Sequence, residues 1–263
     1  MSLDLSFLEP ENSPYLMKNH LLLVPSEWML EPEVSSAIEE SKPVLKTFLN
    51  DKEFRTQMQP KDIPVMKHIT THLPEVYSMP FFTEKHCLAI LNEINHIHET
   101  HGFQVNEEEE KEVRIEEFVL GKNAPGWYAS LFQLVFGKLN VVFEALFGRY
   151  VNDGIIQLAN YNPKEITETY WHHDGNADIT VVIPLNTGDY GGGGTEFFNR
   201  GVVDPLPSGH ALIFPSFSHM HRGLPTAQGD RYLLVFWLKQ PLGLDSKTEK
   251  NKDNDEENGK NGD

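Results

Sequence analysis

The chain has 263 residues and a mass of 30.0 kDa, enough to bury a core as one large domain or as a domain with an extension. Its 39% hydrophobic and 11% aromatic content is globular, and no apolar run is read as reaching membrane-spanning length. A formal charge of −17 argues against broad contact with a polyanion such as nucleic acid, and suits a basic partner such as a lysine-bearing peptide.

The opening Met1-Ser2-Leu3-Asp4-Leu5-Ser6 lacks a basic stretch followed by an apolar core, so no signal peptide is expected. The single cysteine, Cys87, cannot form an intramolecular disulfide, and a cytoplasmic setting is the expectation. Residues 1–70 form an N-terminal extension, partly helical and without visible chemistry. Within it Leu21-Leu22-Leu23-Val24 reads as an edge strand and Glu31 to Asn50 as a helix that Pro43 breaks or kinks. Residues 51–62 are polar and read as a connector.

Residues 71–149 are expected to be helical support. Pro74 to Phe82 reads as a buried extended segment, and Thr83 can cap a helix from Glu84 to His98. That helix carries Leu88, Leu91, Ile94 and Ile97 at helical spacing. Glu107 to Glu112 is a solvated charge run. A second helix, from Pro125 to Phe147, has a wide apolar face of the kind that packs on the outside of a sheet.

After Gly148 the pattern changes. Runs at 155–161, 179–185, 195–198, 210–214 and 232–237 are short, rich in β-branched and aromatic residues, and separated by Gly, Pro, Asn and Asp. This spacing predicts a mainly β domain with supporting helices, a sandwich or jelly roll over residues 150–241. Residues 242–263 are predicted to be a disordered polar tail.

The chemistry lies in that last region. In extended chain, His172 and Asp174 project to one face while His173 points away. Gly191 to Gly194 form a tight turn entering a strand, where glycine allows φ > 0 and close backbone approach. His221 lies 47 positions after Asp174, far enough for several strands to return to the same end of a sandwich. His219 shares its face by parity, so spacing does not choose between them. Arg231, ten residues beyond His221, is placed by the intervening turn residues to open the next strand of a hairpin. Two imidazoles and a carboxylate that leave coordination positions free are the ligand set of a non-haem Fe(II) oxygenase, and a guanidinium nearby can hold a carboxylate bidentately.

These residues resemble the catalytic domain of the 2-oxoglutarate- and Fe(II)-dependent oxygenases, most of all that of the procollagen lysyl hydroxylases, with the prolyl hydroxylases more distant. The likeness rests on His172-His173-Asp174, Leu185-Asn186, Asp189-Tyr190 with Gly191 to Gly193, Phe214-Pro215, and His219-x-His221-x-Gly223-Leu224-Pro225. It continues through Gly229-x-Arg231-Tyr232, and upstream through Val76-Tyr77 and Pro80-x-Phe82-Thr83-Glu84. It covers roughly residues 70 to 240.

The resemblance implies a double-stranded β-helix, a cupin-like jelly roll. It implies Fe(II) held by His172, Asp174 and His221, the histidine ten before the arginine, with His219 and His173 in structural roles. Arg231 would bind the distal carboxylate of 2-oxoglutarate. Tyr161 matches a family tyrosine that contacts the co-substrate, and Thr180 stands on a strand where the family has an asparagine with that task. The implied reaction is oxidative decarboxylation of 2-oxoglutarate to succinate and CO₂ with O₂, followed by hydroxylation of a C–H bond, with ascorbate as an optional accessory. The implied substrate is a protein or peptide side chain, lysine first; prolyl residues, a small molecule or a nucleobase are alternatives, as is a non-catalytic metal-binding module. No nucleic acid or membrane partner is expected, and a homodimer is one option for the assembly. Tyr170, Trp171 and the loop near Asn176 flank the ligands and are assigned to a substrate-facing wall. The pairs and groups His68/His72 and His96/His98/His101 lack a further ligand and are set aside as metal sites. Cys87 reads as core.

Overall fold

The computed structural model describes residues 29–100, 102–107 and 110–241; the expected edge strand at Leu21–Val24, His101 and the polar tail lie outside them. An eight-stranded antiparallel sheet runs in the order β1-β2-β10-β6-β13-β5-β4-β3. Its strands are β1 (Thr70–Leu73), β2 (Val76–Pro80), β3 (Gln104–Val105), β4 (Glu116–Val119), β5 (Asp153–Tyr161), β6 (Ile179–Pro184), β10 (His210–Pro215) and β13 (Arg231–Lys239). Two small sheets complete the sandwich. One pairs β11 (His221–Gly223), β8 (Thr195–Phe197) and β9 (Gly201–Val203); the other pairs β12 (Thr226–Gln228) with β7 (Gly191–Gly192). This is the helix-backed double-stranded β-helix that the strand spacing and the family resemblance predict.

The alternation of the central strands explains the layers. Ile156, Leu158, Val181, Ile183, Leu234 and Phe236 point to one face and join the helices in the main core, every one of them almost fully buried. Ala159, Tyr161, Leu233 and Val235, one position out of step, point to the opposite face and line the interior of the roll. Burying each large apolar side chain on the helix-facing side contributes roughly 1.5–3 kcal/mol.

The helices are α1 (Pro32–Asn50), α2 (Lys52–Gln57), α3 (Glu84–Thr100), α4 (Leu120–Asn123), α5 (Pro125–Leu134) and α6 (Asn140–Phe147). Helix α1 continues unbroken through Pro43, so the break offered as one expectation does not occur. Pro43 is on the exposed side of the helix, so the acceptor that loses its donor faces water. The presumed connector 51–62 contains α2, capped by Asp51, whose carboxylate accepts from Glu53 N and Phe54 N. The apolar face of α3 is also rotated from the predicted one: Leu88 is exposed, while Cys87, Ile90, Ile94 and Ile97 are buried.

Between α5 and α6 the chain passes through a π turn, Val135–Leu139, without breaking direction. The stretch Pro125–Phe147 is thus 23 residues long and, with a mean hydropathy of 1.4, apolar enough to cross a membrane by length and composition. That corrects the expectation that no such run exists. Half of its most apolar window is packed inside the protein, as in a core helix. Helix α6 ends on Gly148 in the left-handed region, and the Asn140 side chain then bonds both the N–H and the carbonyl of Val151 at 2.9 Å. This clamp delivers the chain into β5.

Candidate metal centre

His172, Asp174 and His221 come together at the mouth of the roll. Their ligand atoms lie within 4.8 Å of one another, and they are the one such group of His, Cys, Asp and Glu found among the described residues. His172 and His221 form an isolated antiparallel bridge, each N–H donating to the other's carbonyl at 2.9 Å. The extended segment ends there. Asp174 heads a turn in which Gly175 N donates to His173 O and Ala177 N to Asp174 O. The chelating pair therefore comes from one bridge and one turn rather than from a full strand.

The imidazoles are oriented alike. Nδ1 of His172 faces the Tyr170 carbonyl at 2.8 Å, and Nδ1 of His221 faces the His219 carbonyl at 2.9 Å. A carbonyl only accepts, so each Nδ1 carries the hydrogen and each Nε2 keeps its lone pair for a cation. Those Nε2 atoms lie 3.6 Å and 3.7 Å from the two Asp174 oxygens. Burial pushes the His221 pKa down to about 4, against the opposing pull of Asp174, so this imidazole is neutral and ligand-competent at pH 7. His219 is enclosed between Pro74 and Ser218, with its ring against Phe197 and Phe214, which leaves His221 as the inward histidine.

Behind the triad is a cavity of about 350 Å³. One wall is β13, from Arg231 through Leu233, Val235 and Trp237 to Lys239; Tyr161 and Ile155 of β5 and Val182 of β6 continue it. Arg231 and Tyr161 are register partners across β13 and β5. Arg231 is 4% exposed, its guanidinium carbon lies 5.2 Å from the centre of the Tyr161 ring, and Nη2 reaches the Gly194 carbonyl at 3.3 Å. Its Nε and Nη1 are buried without a protein acceptor among the described residues. A guanidinium kept from water with two nitrogens unmet is built for an anion, and the dicarboxylate 2-oxoglutarate fits that need. The triad's two imidazoles and carboxylate, with no further protein ligand among the described residues, equally fit Fe(II).

The glycine turn serves this arginine. Gly193 has φ +81°, and a Cβ there would lie 3.1 Å from the Tyr190 ring and 3.2 Å from the Arg231 side chain. Gly223 approaches Tyr161 and Thr169 so closely that a Cβ would lie 3.1 Å from the Tyr161 hydroxyl. Tyr161 is buried, which raises its pKa, and it shares a hydrogen bond with Thr169.

Other expected residues take different places. Thr180 lines the cavity, but its hydroxyl donates to Asp174 Oδ2 at 2.5 Å. Asn176 lines the cavity, whereas Trp171 and Tyr170 do not. Trp171 alternates with His172 and packs edge-on against Phe198 under the Arg222 guanidinium; Tyr170 is 60% exposed. The expected hairpin from His221 to Arg231 is absent: β11 belongs to a small sheet and β13 to the large one, with β12 between them. The two residues thus meet the cavity from opposite walls. His72 bonds Ser78, and His98 bonds the Tyr232 hydroxyl. Cys87 is buried and its thiol is pushed up to about 12 by desolvation, which makes it inert. Sequence reading missed Thr169, Ser216 and the segment Glu110 to Ile115, which carry no local signal. It also passed over Leu233, Val235 and Trp237, which strand parity from Arg231 points to.

A two-histidine, one-carboxylate centre at the mouth of a jelly roll, with a buried arginine behind it, defines a non-haem oxygenase site. Residues 156–239 match the model of the 2OG-Fe(II) oxygenase superfamily. It is 32% identical over 189 residues to procollagen-lysine,2-oxoglutarate 5-dioxygenase 1 of Mus musculus, a match covering 65% of this chain and 25% of the relative. It is 28% identical over 99 residues to the multifunctional procollagen lysine hydroxylase and glycosyltransferase of Caenorhabditis elegans, covering 36% of this chain and 14% of that one. The chain thus spans about a quarter of the length of the curated relatives it matches first. A prolyl hydroxylase from Trichoplax adhaerens, solved with a hypoxia inducible factor peptide fragment, shares the fold: TM-score 0.52, 13% identity, 79% of this chain and 92% of that one.

Proposed function

We propose that the chain is a 2-oxoglutarate- and Fe(II)-dependent dioxygenase that hydroxylates a C–H bond of a lysine side chain in a polypeptide. The observation that carries the reading is Arg231, whose buried guanidinium has Nε and Nη1 unmet in the cavity that the triad closes. His172, Asp174 and His221 would hold Fe(II), which with O₂ and the keto acid supplies the oxidation of the C–H bond. Arg231 would bind the distal carboxylate, with the Tyr161 ring against the guanidinium face. Leu233, Val235 and Val182 would flank the methylenes of the co-substrate and keep water from the oxidising site. The lysyl preference rests on the named relatives at 28–32% identity and on the net charge of −17, which favours a cationic substrate. Ascorbate is the accessory reductant in this reading.

The reading predicts succinate release that requires both Fe(II) and 2-oxoglutarate and is lost in His172→Ala. Peptide libraries bearing lysine or proline, and a metabolite pool, are then screened for a +16 Da product. Labelling confined to free metabolites, or to prolyl peptides, rejects the lysyl substrate and leaves the chemistry standing. Absence of succinate release under every condition rejects the enzyme.

A further inference from the structure

Two buried hydroxyls stand behind the metal-binding carboxylate. Thr180 is 1% exposed and Ser216 is fully buried. Thr180 Oγ1 lies 2.5 Å from Asp174 Oδ2 and 2.8 Å from Ser216 Oγ. The direction of the hydrogens follows from chemistry. An ionised carboxylate only accepts, so Thr180 gives it the one hydrogen it has, and Ser216 must donate to the Thr180 oxygen in turn.

The far end of this chain of hydrogen bonds is fixed by backbone. Ser216 N donates to the Asp178 carbonyl at 3.0 Å, and Asp178 N donates to the Leu238 carbonyl at 2.8 Å. Thr180 itself is held in β6 between Phe214 of β10 and Trp237 of β13. Asp174, by contrast, heads an exposed turn, and backbone bonds alone leave its carboxylate free to rotate.

We propose that the Ser216–Thr180 hydroxyl pair is the positioning device of the metal centre, fixing the rotation of the Asp174 carboxylate, whose two oxygens face the His172 and His221 Nε2 atoms. The proposal rests on the reading that the triad binds Fe(II), and it gives Thr180 a task other than holding the co-substrate.

The test is calorimetric titration of the intact chain with Fe(II) under anaerobic conditions, and with Co(II), whose visible absorption reports the ligand geometry. Thr180→Val keeps the shape and removes the donor; it is expected to weaken metal binding about 10–100-fold and to alter the Co(II) spectrum. Thr180→Ser restores the donor and is expected to restore both. Ser216→Ala is expected to weaken binding less, in the same direction, and provides the test should Thr180→Val not fold. Wild-type affinity and spectrum in folded Thr180→Val, or in folded Ser216→Ala if the former is insoluble, overturn the proposal. Failure of the wild-type chain itself to bind either metal overturns the underlying reading as well, a result distinct from equal binding by wild type and variant.

Discussion

Arg231 illustrates why identity matters more than charge at single residues. Its flat fork lies against Tyr161 with two buried nitrogens that meet no acceptor among the described residues. Lysine would supply charge without the paired geometry, so Arg231→Lys is expected to weaken anaerobic 2-oxoglutarate binding by about 2 kcal/mol, some thirtyfold, while leaving Fe(II) affinity unchanged. His86 belongs to the same scale. It is fully buried against Phe82, and desolvation lowers its pKa to about 3. Because the folded value lies below that of the unfolded chain, the unfolded state binds the extra proton between roughly pH 6.5 and 3, and stability falls with pH across that window. His86→Leu is expected to remove up to about 1.4 kcal/mol per pH unit of that slope in urea titrations run from pH 7 to 5. At this scale the sequence was informative through chemistry, as at His172, Asp174 and Arg231, whose residue types announce a cation and an anion site although a bridge and a turn, not a strand, place the first two. It was silent where a contact depends on a turn: nothing in Thr180's neighbourhood announces that Asp174, six positions back, folds over onto it.

Long strands were legible because their alternation is imposed by two different surroundings, helices on one side and the cavity on the other. The three-residue strands β8, β9, β11 and β12 were less so, since their order comes from tertiary pairing rather than from their own residues. For that reason a hairpin looked plausible between His221 and Arg231, where the chain in fact changes sheets. The glycine turn ahead of β8 is sensitive to substitution. Gly193→Ala would meet a left-handed backbone and both Tyr190 and Arg231 at 3.1–3.2 Å. It is expected to cost about 1–3 kcal/mol in thermal unfolding and to weaken 2-oxoglutarate binding in the folded fraction.

Taken as a whole, the molecule is strongly acidic, and that sets how it meets a substrate. If the substrate is a lysine-rich polypeptide, kcat/KM is expected to fall severalfold between low salt and 0.5 M salt, while kcat at saturation holds; a salt-independent kcat/KM would point to a neutral partner. The route from helix to site is equally a property of the whole. An α-helix turns about 100° per residue, and the π turn between α5 and α6 holds one residue more than an ordinary turn. It therefore sets the rotational phase of everything after it, like the offset of a vernier scale. Gly137, exposed and with nothing near it, looks dispensable. Deleting it would only return that turn to ordinary α geometry, whereas inserting a second residue there would swing Val142 and Phe143 about 100° out of the core and carry Asn140 away from Val151. Strand β5 would lose its anchor at one end, and Tyr161, at the other end of that strand, would lose its alignment with Arg231.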